Sequence, residues 1–141
     1  MQYPLGESYN GVASLAGFDL SSTDVQDGTA FTLTLHWLAT DTPSVAYTVF
    51  THLLDSSGRV IAQDDSPPAL GQRPTTGWVK GEFITDQHTL TFKTHIPAIT
   101  GTTSLEVGLY DPVSGVRVAV IGDGDHIQLP IPITVRKDAG P

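Results

Sequence analysis

The feature that most limits how this chain can fold is a two-residue alternation of apolar and polar side chains. In residues 29–38, Phe31, Leu33, Leu35 and Trp37 share one parity, while Thr32, Thr34 and His36 share the other. A strand turns successive side chains to opposite faces, so this pattern buries one face and wets the other, with Trp37 in the core. The alternation returns in residues 89–96, with Leu90, Phe92 and Ile96 inward against Thr91, Lys93 and His95. It recurs in 104–110, where Leu105, Val107 and Leu109 oppose Glu106, Gly108 and Tyr110, and in 126–135 through Ile127, Leu129, Ile131, Ile133 and Val135. No stretch sustains a 3.6-residue apolar period, so helices are expected to be short or absent.

Residues 47–54 break the alternation in an informative way, with Tyr47, Val49 and Leu53 on one face and Phe50 and Leu54 on the other. A strand apolar on both faces is usually central and covered on both sides. Asp55-Ser56-Ser57-Gly58 supplies a side-chain acceptor and a glycine tolerant of positive φ, so residues 47–65 read as a central hairpin. Weaker strands are expected at 12–20, interrupted by Gly17, at 82–84 as a short edge, and at 116–121, pairing back on 104–110. Residues 21–28 read as a loop. Pro130 and Pro132 cannot donate to a ladder, which predicts an edge or a bulge for the last strand. About eight strands with turns at short spacing predict an all-β fold, an antiparallel two-sheet sandwich of immunoglobulin-like or jelly-roll type. Residues 1–10 read as a flexible N-terminal segment, 11–136 as a single domain and 137–141 as a flexible tail.

Charge and composition narrow the function classes. The formal charge is −8, and the seven basic residues are scattered, which argues against nucleic acid and anionic membrane surfaces as partners. With no cysteine there are no disulfides, no thiolate metal sites and no cysteine nucleophile. The longest uninterrupted apolar run, residues 118–121, is far too short for membrane insertion by this segment. No cofactor motif is present.

Several motifs in order carry a family resemblance: Tyr47-Thr48-Val49-Phe50-Thr51-His52-Leu53-Leu54-Asp55 with Gly58-Arg59-Val60, then Gln63-Asp64, then Pro74-Thr75-Thr76-Gly77-Trp78-Val79-Lys80-Gly81-Glu82. Val107-Gly108-Leu109-Tyr110-Asp111-Pro112 and Gly115-Val116-Arg117 complete the series. From about residue 27 onward the chain resembles the extracytoplasmic β-sandwich domain at the C-terminus of bacterial polytopic membrane proteins of the glycosyltransferase/mannosyltransferase type. The resemblance implies a non-catalytic accessory domain outside the membrane, near glycan or lipid-linked sugar, with the chemistry belonging to the membrane portion of a longer parent protein.

The residues offer several candidate sites. The irregular stretch 65–82 is too long for an ordinary connection, and such loops are often functional. Trp78 within it, near Asp65, Gln72, Arg73, Thr75 and Glu82, has the makings of a sugar platform, because an exposed indole stacks on a sugar ring while polar neighbours read its hydroxyls. The competing reading has Trp78 plugging one end of the fold. Asp123 and Asp125 on a glycine-rich turn are weak calcium candidates that lack the full EF-hand spacing, and solvated turn aspartates are the simpler reading. His36 and His52, on strands that could be neighbours, form at most a two-imidazole zinc pair. Glu82, Asp86 and Glu106 are the carboxylates available for glycoside cleavage, while a G-x-S-x-G elbow is absent. The expectation is therefore a non-enzymatic accessory module contacting glycan through the 65–82 loop. The alternatives are a purely structural sandwich packed on a partner or parent membrane domain, and a small glycan-acting hydrolase.

Overall fold

The computed structural model describes residues 1–93, 101–122 and 124–136. Among them run β1 (Tyr3–Tyr9), β2 (Ala13–Leu20), β3 (Asp24–Gln26), β4 (Phe31–Ala39), β5 (Thr48–Leu54), β6 (Val60–Ser66), β7 (Phe83–Phe92), β8 (Gly101–Tyr110), β9 (Ile127–Gln128) and β10 (Ile133–Arg136). Two 3-10 turns, Pro68–Gly71 and Thr75–Gly77, are the helical elements of the described chain. The protein is all-β.

The strands form one hydrogen-bonded path, β1-β2-β4-β7-β6-β5-β8-β10-β3, with β9 lying on β8. Neighbours on the path are antiparallel except β10 and β3, which run parallel. β7 is the strand on which the sheet curls: residues 83–90 pair with β4, and Thr91 and Gln63 then carry the pairing over to β6. The curl is deep enough for β1 to reach β8, where the Tyr9 hydroxyl donates to the Val107 carbonyl. Leu33, Leu35 and Trp37 from β4 and Val49, Leu53, Leu105 and Val107 from β5 and β8 consequently belong to one apolar core.

The alternating stretches behave as their pattern requires. Phe31, Leu33, Leu35 and Trp37 are all buried, as are Leu105, Val107 and Leu109. The central hairpin forms as β5 and β6, and β5 is flanked on its other side by β8. Asp55 builds its turn by accepting from the Ser57 and Arg59 amides at 3.0 and 2.9 Å, while Gly58 supplies φ 84°. These bonds, from the Ser57 hydroxyl first, pull the Asp55 carboxyl down to about 2.

Elsewhere the structure differs from the sequence reading. Residues 1–10, expected to be flexible, carry β1, because its Pro4 and Gly6 are tolerated at a margin of the sheet beside a register shift between Pro4 and Glu7. In β2 a second shift between Leu15 and Gly17 changes the parity, bringing Phe18 and Leu20 into the core alongside Ala13 and Leu15. The loop expected at 21–28 holds β3. The expected short strand 82–84 and the strand beginning at 89 are one strand, β7, whose inward row is Ile84, Asp86, His88, Leu90 and Phe92. Residues 116–121 make isolated bridges, Tyr110 to Arg117 and Tyr9 to Val120, where a regular strand was expected. The expected strand 126–135 divides into β9 and β10 around Pro130 and Pro132, and β10 is paired on both sides by β8 and β3. The readings at His95, Ile96 and 137–141 lie outside the described residues.

Candidate functional site

The 65–82 stretch leaves β6 and folds back on the sheet as a built structure. Thr75 is buried, donating its hydroxyl to the Val45 carbonyl at 2.7 Å and accepting from the Tyr47 amide at 3.0 Å. Trp78 is 0% exposed, packed against Trp37 with ring centroids 6.1 Å apart, and its Nε1–H donates to the Arg73 carbonyl at 2.8 Å. The exposed platform is therefore corrected and the competing reading of Trp78 as a plug holds: burying an indole beside a second one removes more apolar area from water than any display of it on the surface. Arg73 pairs with Glu82, both half-buried, and Gln72 is exposed. Asp65 belongs to a different group, pairing with His52 at 3.1 Å on the outward side of the sheet.

Beneath the loop lies a polar group that the alternation reading passed over. Asp86 and His88 occupy inward positions of β7 and are both fully buried. The Asp86 carboxylate accepts from Trp37 Nε1 at 3.1 Å and from the Ala69 amide at 2.8 Å, and lies 2.6 Å from His88 Nε2. On the other side of the ring, His88 Nδ1 lies 2.7 Å from Asp64 and 3.1 Å from the Ser66 hydroxyl, which also reaches Asp64 at 2.9 Å. Burial works against the charged imidazole, but the bonds and charges of Asp86 and Asp64 outweigh it and raise the His88 pKa above its ordinary value. As an imidazolium His88 donates from both nitrogens to two carboxylates, and the Ser66 hydroxyl is then left to donate to Asp64. The signal in the sequence was the pair of polar residues sharing the parity of Ile84 and Leu90.

The Ala69 amide held by Asp86 belongs to an unusual turn. Ala69, Leu70 and Gly71 have φ of 53°, 56° and 85°, a left-handed run that L side chains rarely adopt. Leu70, at its tip, is 75% exposed. Buried polar bonding thus holds a strained and outward-facing turn.

A second group lies on the outward face of β6, β5 and β8. Phe50 is 1% exposed yet points away from the core, lying across Gly108. A Cβ at Gly108 would fall 2.2 Å from the Phe50 ring. The His52 and Tyr110 rings flank it at 4.9 and 6.2 Å, and the Arg117 guanidinium covers it at 4.3 Å. Glu106, opposite His52 in the ladder, pairs with His126 at 3.2 Å.

The metal readings find no support in this geometry. Asp123 lies outside the described residues, and Asp125 is occupied by His126 at 3.0 Å and Arg117 at 3.4 Å. His36 pairs with Asp19, and β7 and β6 separate its strand from that of His52. Among the described residues no group of three or more His, Cys, Asp or Glu side chains is placed to hold a metal ion. Likewise, no helix among them is long and apolar enough to cross a membrane.

Comparison with protein-family models finds no match, and comparison with curated proteins finds no relative.

Proposed function

We propose that this domain is a non-catalytic accessory module of a membrane-associated glycosyltransferase-like protein, held on the extracytoplasmic side, and that it contacts glycan through the 65–82 loop. The family resemblance supplies the setting, and the built loop carries the binding reading. Its backbone is held by Asp86, Thr75 and Trp78, while Gln72 and the Arg73–Glu82 pair remain at the surface. Rigid presentation of polar groups lowers the ordering cost of binding. In this reading the curl of the sheet amounts to a two-sheet sandwich, with β7 as the shared corner.

The test is a glycan array probed with the intact domain and with Arg73→Ala. Binding by the wild type that falls by about tenfold in the variant, as for loss of one charge-assisted hydrogen bond, is the expected result. An array on which the intact domain binds nothing removes glycan recognition. The setting has its own check: a parent reading frame that continues into apolar spans of about 20 residues, the length needed to cross a bilayer.

A second reading, a domain that packs on a partner, is favoured by the exposed Leu70, Val79 and Phe83 in and beside the same loop. Leu70→Asp would then abolish co-purification with the parent's membrane portion while leaving sugar binding untouched.

A further inference from the structure

We infer that the outward face of β6, β5 and β8 is a second binding surface, for an uncharged sugar ring that stacks on Phe50 once the Arg117 side chain moves aside. The inference shares sugar as ligand with the proposed function and takes Asp65 from the start of the 65–82 stretch, but uses none of residues 66–82.

Phe50 is the starting point. A phenylalanine on the outward side of a sheet would ordinarily be exposed, whereas this one is buried with the side chains of His52, Tyr110 and Arg117 against it. Gly108 sits opposite it in the ladder, so the ring lies over bare backbone, and any side chain there would collide with it. The choice of glycine beside phenylalanine seats the ring against the sheet, where Arg117, His52 and Tyr110 now bury it.

Arg117 lies over the ring. The guanidinium sits 4.3 Å above the ring and is anchored at 3.4 Å to Asp125, with both side chains more than a third exposed. Exposed ion pairs of this kind hold weakly. Arg117 also comes from a segment that meets β8 through a single isolated bridge, so its side chain can leave without unzipping a strand.

Around the ring stand groups suited to reading hydroxyls. Asp65 offers carboxylate oxygens beside the Tyr110 hydroxyl, and His52 and Glu106 lie across from one another in the next row of the ladder. A ring with one apolar C–H face and a rim of hydroxyls matches an aromatic tile with polar edges. Three carboxylates at this surface, Asp65, Glu106 and Asp125, against the one guanidinium of Arg117, together with a net charge of −8, set its sign against uronic or other acidic sugars.

The experiment is an amide NMR titration of the 15N-labelled domain with methyl glucoside, methyl mannoside, methyl galactoside and their short oligomers, with glucuronate as the acidic control. At least one neutral series is expected to shift the Phe50, Gly108, Tyr110 and Arg117 amides, and glucuronate is expected not to. Arg117→Ala uncovers the tile and removes the cost of opening it, so affinity should rise severalfold. Asp65→Asn and Tyr110→Phe should each weaken binding by about tenfold with the rest of the spectrum unchanged. Shifts confined to the 70–82 loop would overturn this inference while supporting the proposed function. No shift anywhere, in the wild type or in Arg117→Ala, would overturn both, and equal binding of glucuronate would overturn the assignment to neutral sugars.

Discussion

Asp86 is the residue on which most of the buried polar bonding converges. Its two oxygens serve an indole N–H, a backbone amide and an imidazole, three groups from three separate parts of the chain. Asp86→Ala strands all three away from water, and a loss of about 3–5 kcal/mol in urea denaturation is expected for breaking a buried charged pair. His88 gives the same cluster a pH signature. Its pKa in the folded chain is raised above the ordinary 6.5, so its stabilising contribution is complete below about 6.5 and declines as pH rises through the folded-state value. Urea midpoints measured from pH 6 upward should fall in the wild type more steeply than in His88→Gln, and parallel curves would contradict this. Little of the cluster was legible beforehand, because two polar residues on an inward parity look like an interruption until the chain supplies partners for both. Asp64 and Ser66 come from β6, and the loop amide from a segment without periodicity.

At the level of elements, alternation predicted β4 and the buried row of β8 from their own residues, and the two-faced apolar run predicted a central β5, which lies between β6 and β8. What failed were elements whose identity depends on neighbours. β1 is a strand because β2 offers it a ladder, and β7 is continuous because Asp86 and His88 satisfy one another's bonding at core depth. Residues 116–121 are apolar enough for a strand, yet they bridge two others at single points. The 65–82 loop was recognised as exceptional, and of the two readings of Trp78, exposed platform or plug, the plug is the one its burial beside Trp37 supports. Trp78→Ala should therefore cost about 3–5 kcal/mol in thermal or urea unfolding, the penalty of a large cavity beside Trp37. A change within about 0.5 kcal/mol, typical of surface sites, would mean the indole is not a structural plug.

For the molecule as a whole, the path of strands has two margins, and the description of β1 bears on how such a chain avoids joining other copies of itself. An open sheet with bare margins is a template for another chain's backbone. At one margin, Pro4 has no N–H to offer and the register shift beside it bends the strand, while residues 119 and 121 bond to Asn10 and Ser8 at its C-terminal end. At the other margin, β3 is only three residues long, and Asp24 carries an ion pair with Arg136 at 2.6 Å. A short strand and a charged fringe are poor landing sites for a second copy. The irregular 116–121 segment, disappointing as a strand, thus serves as a shield: it closes the C-terminal end of the β1 margin to intruding backbones, and it carries the arginine that covers Phe50.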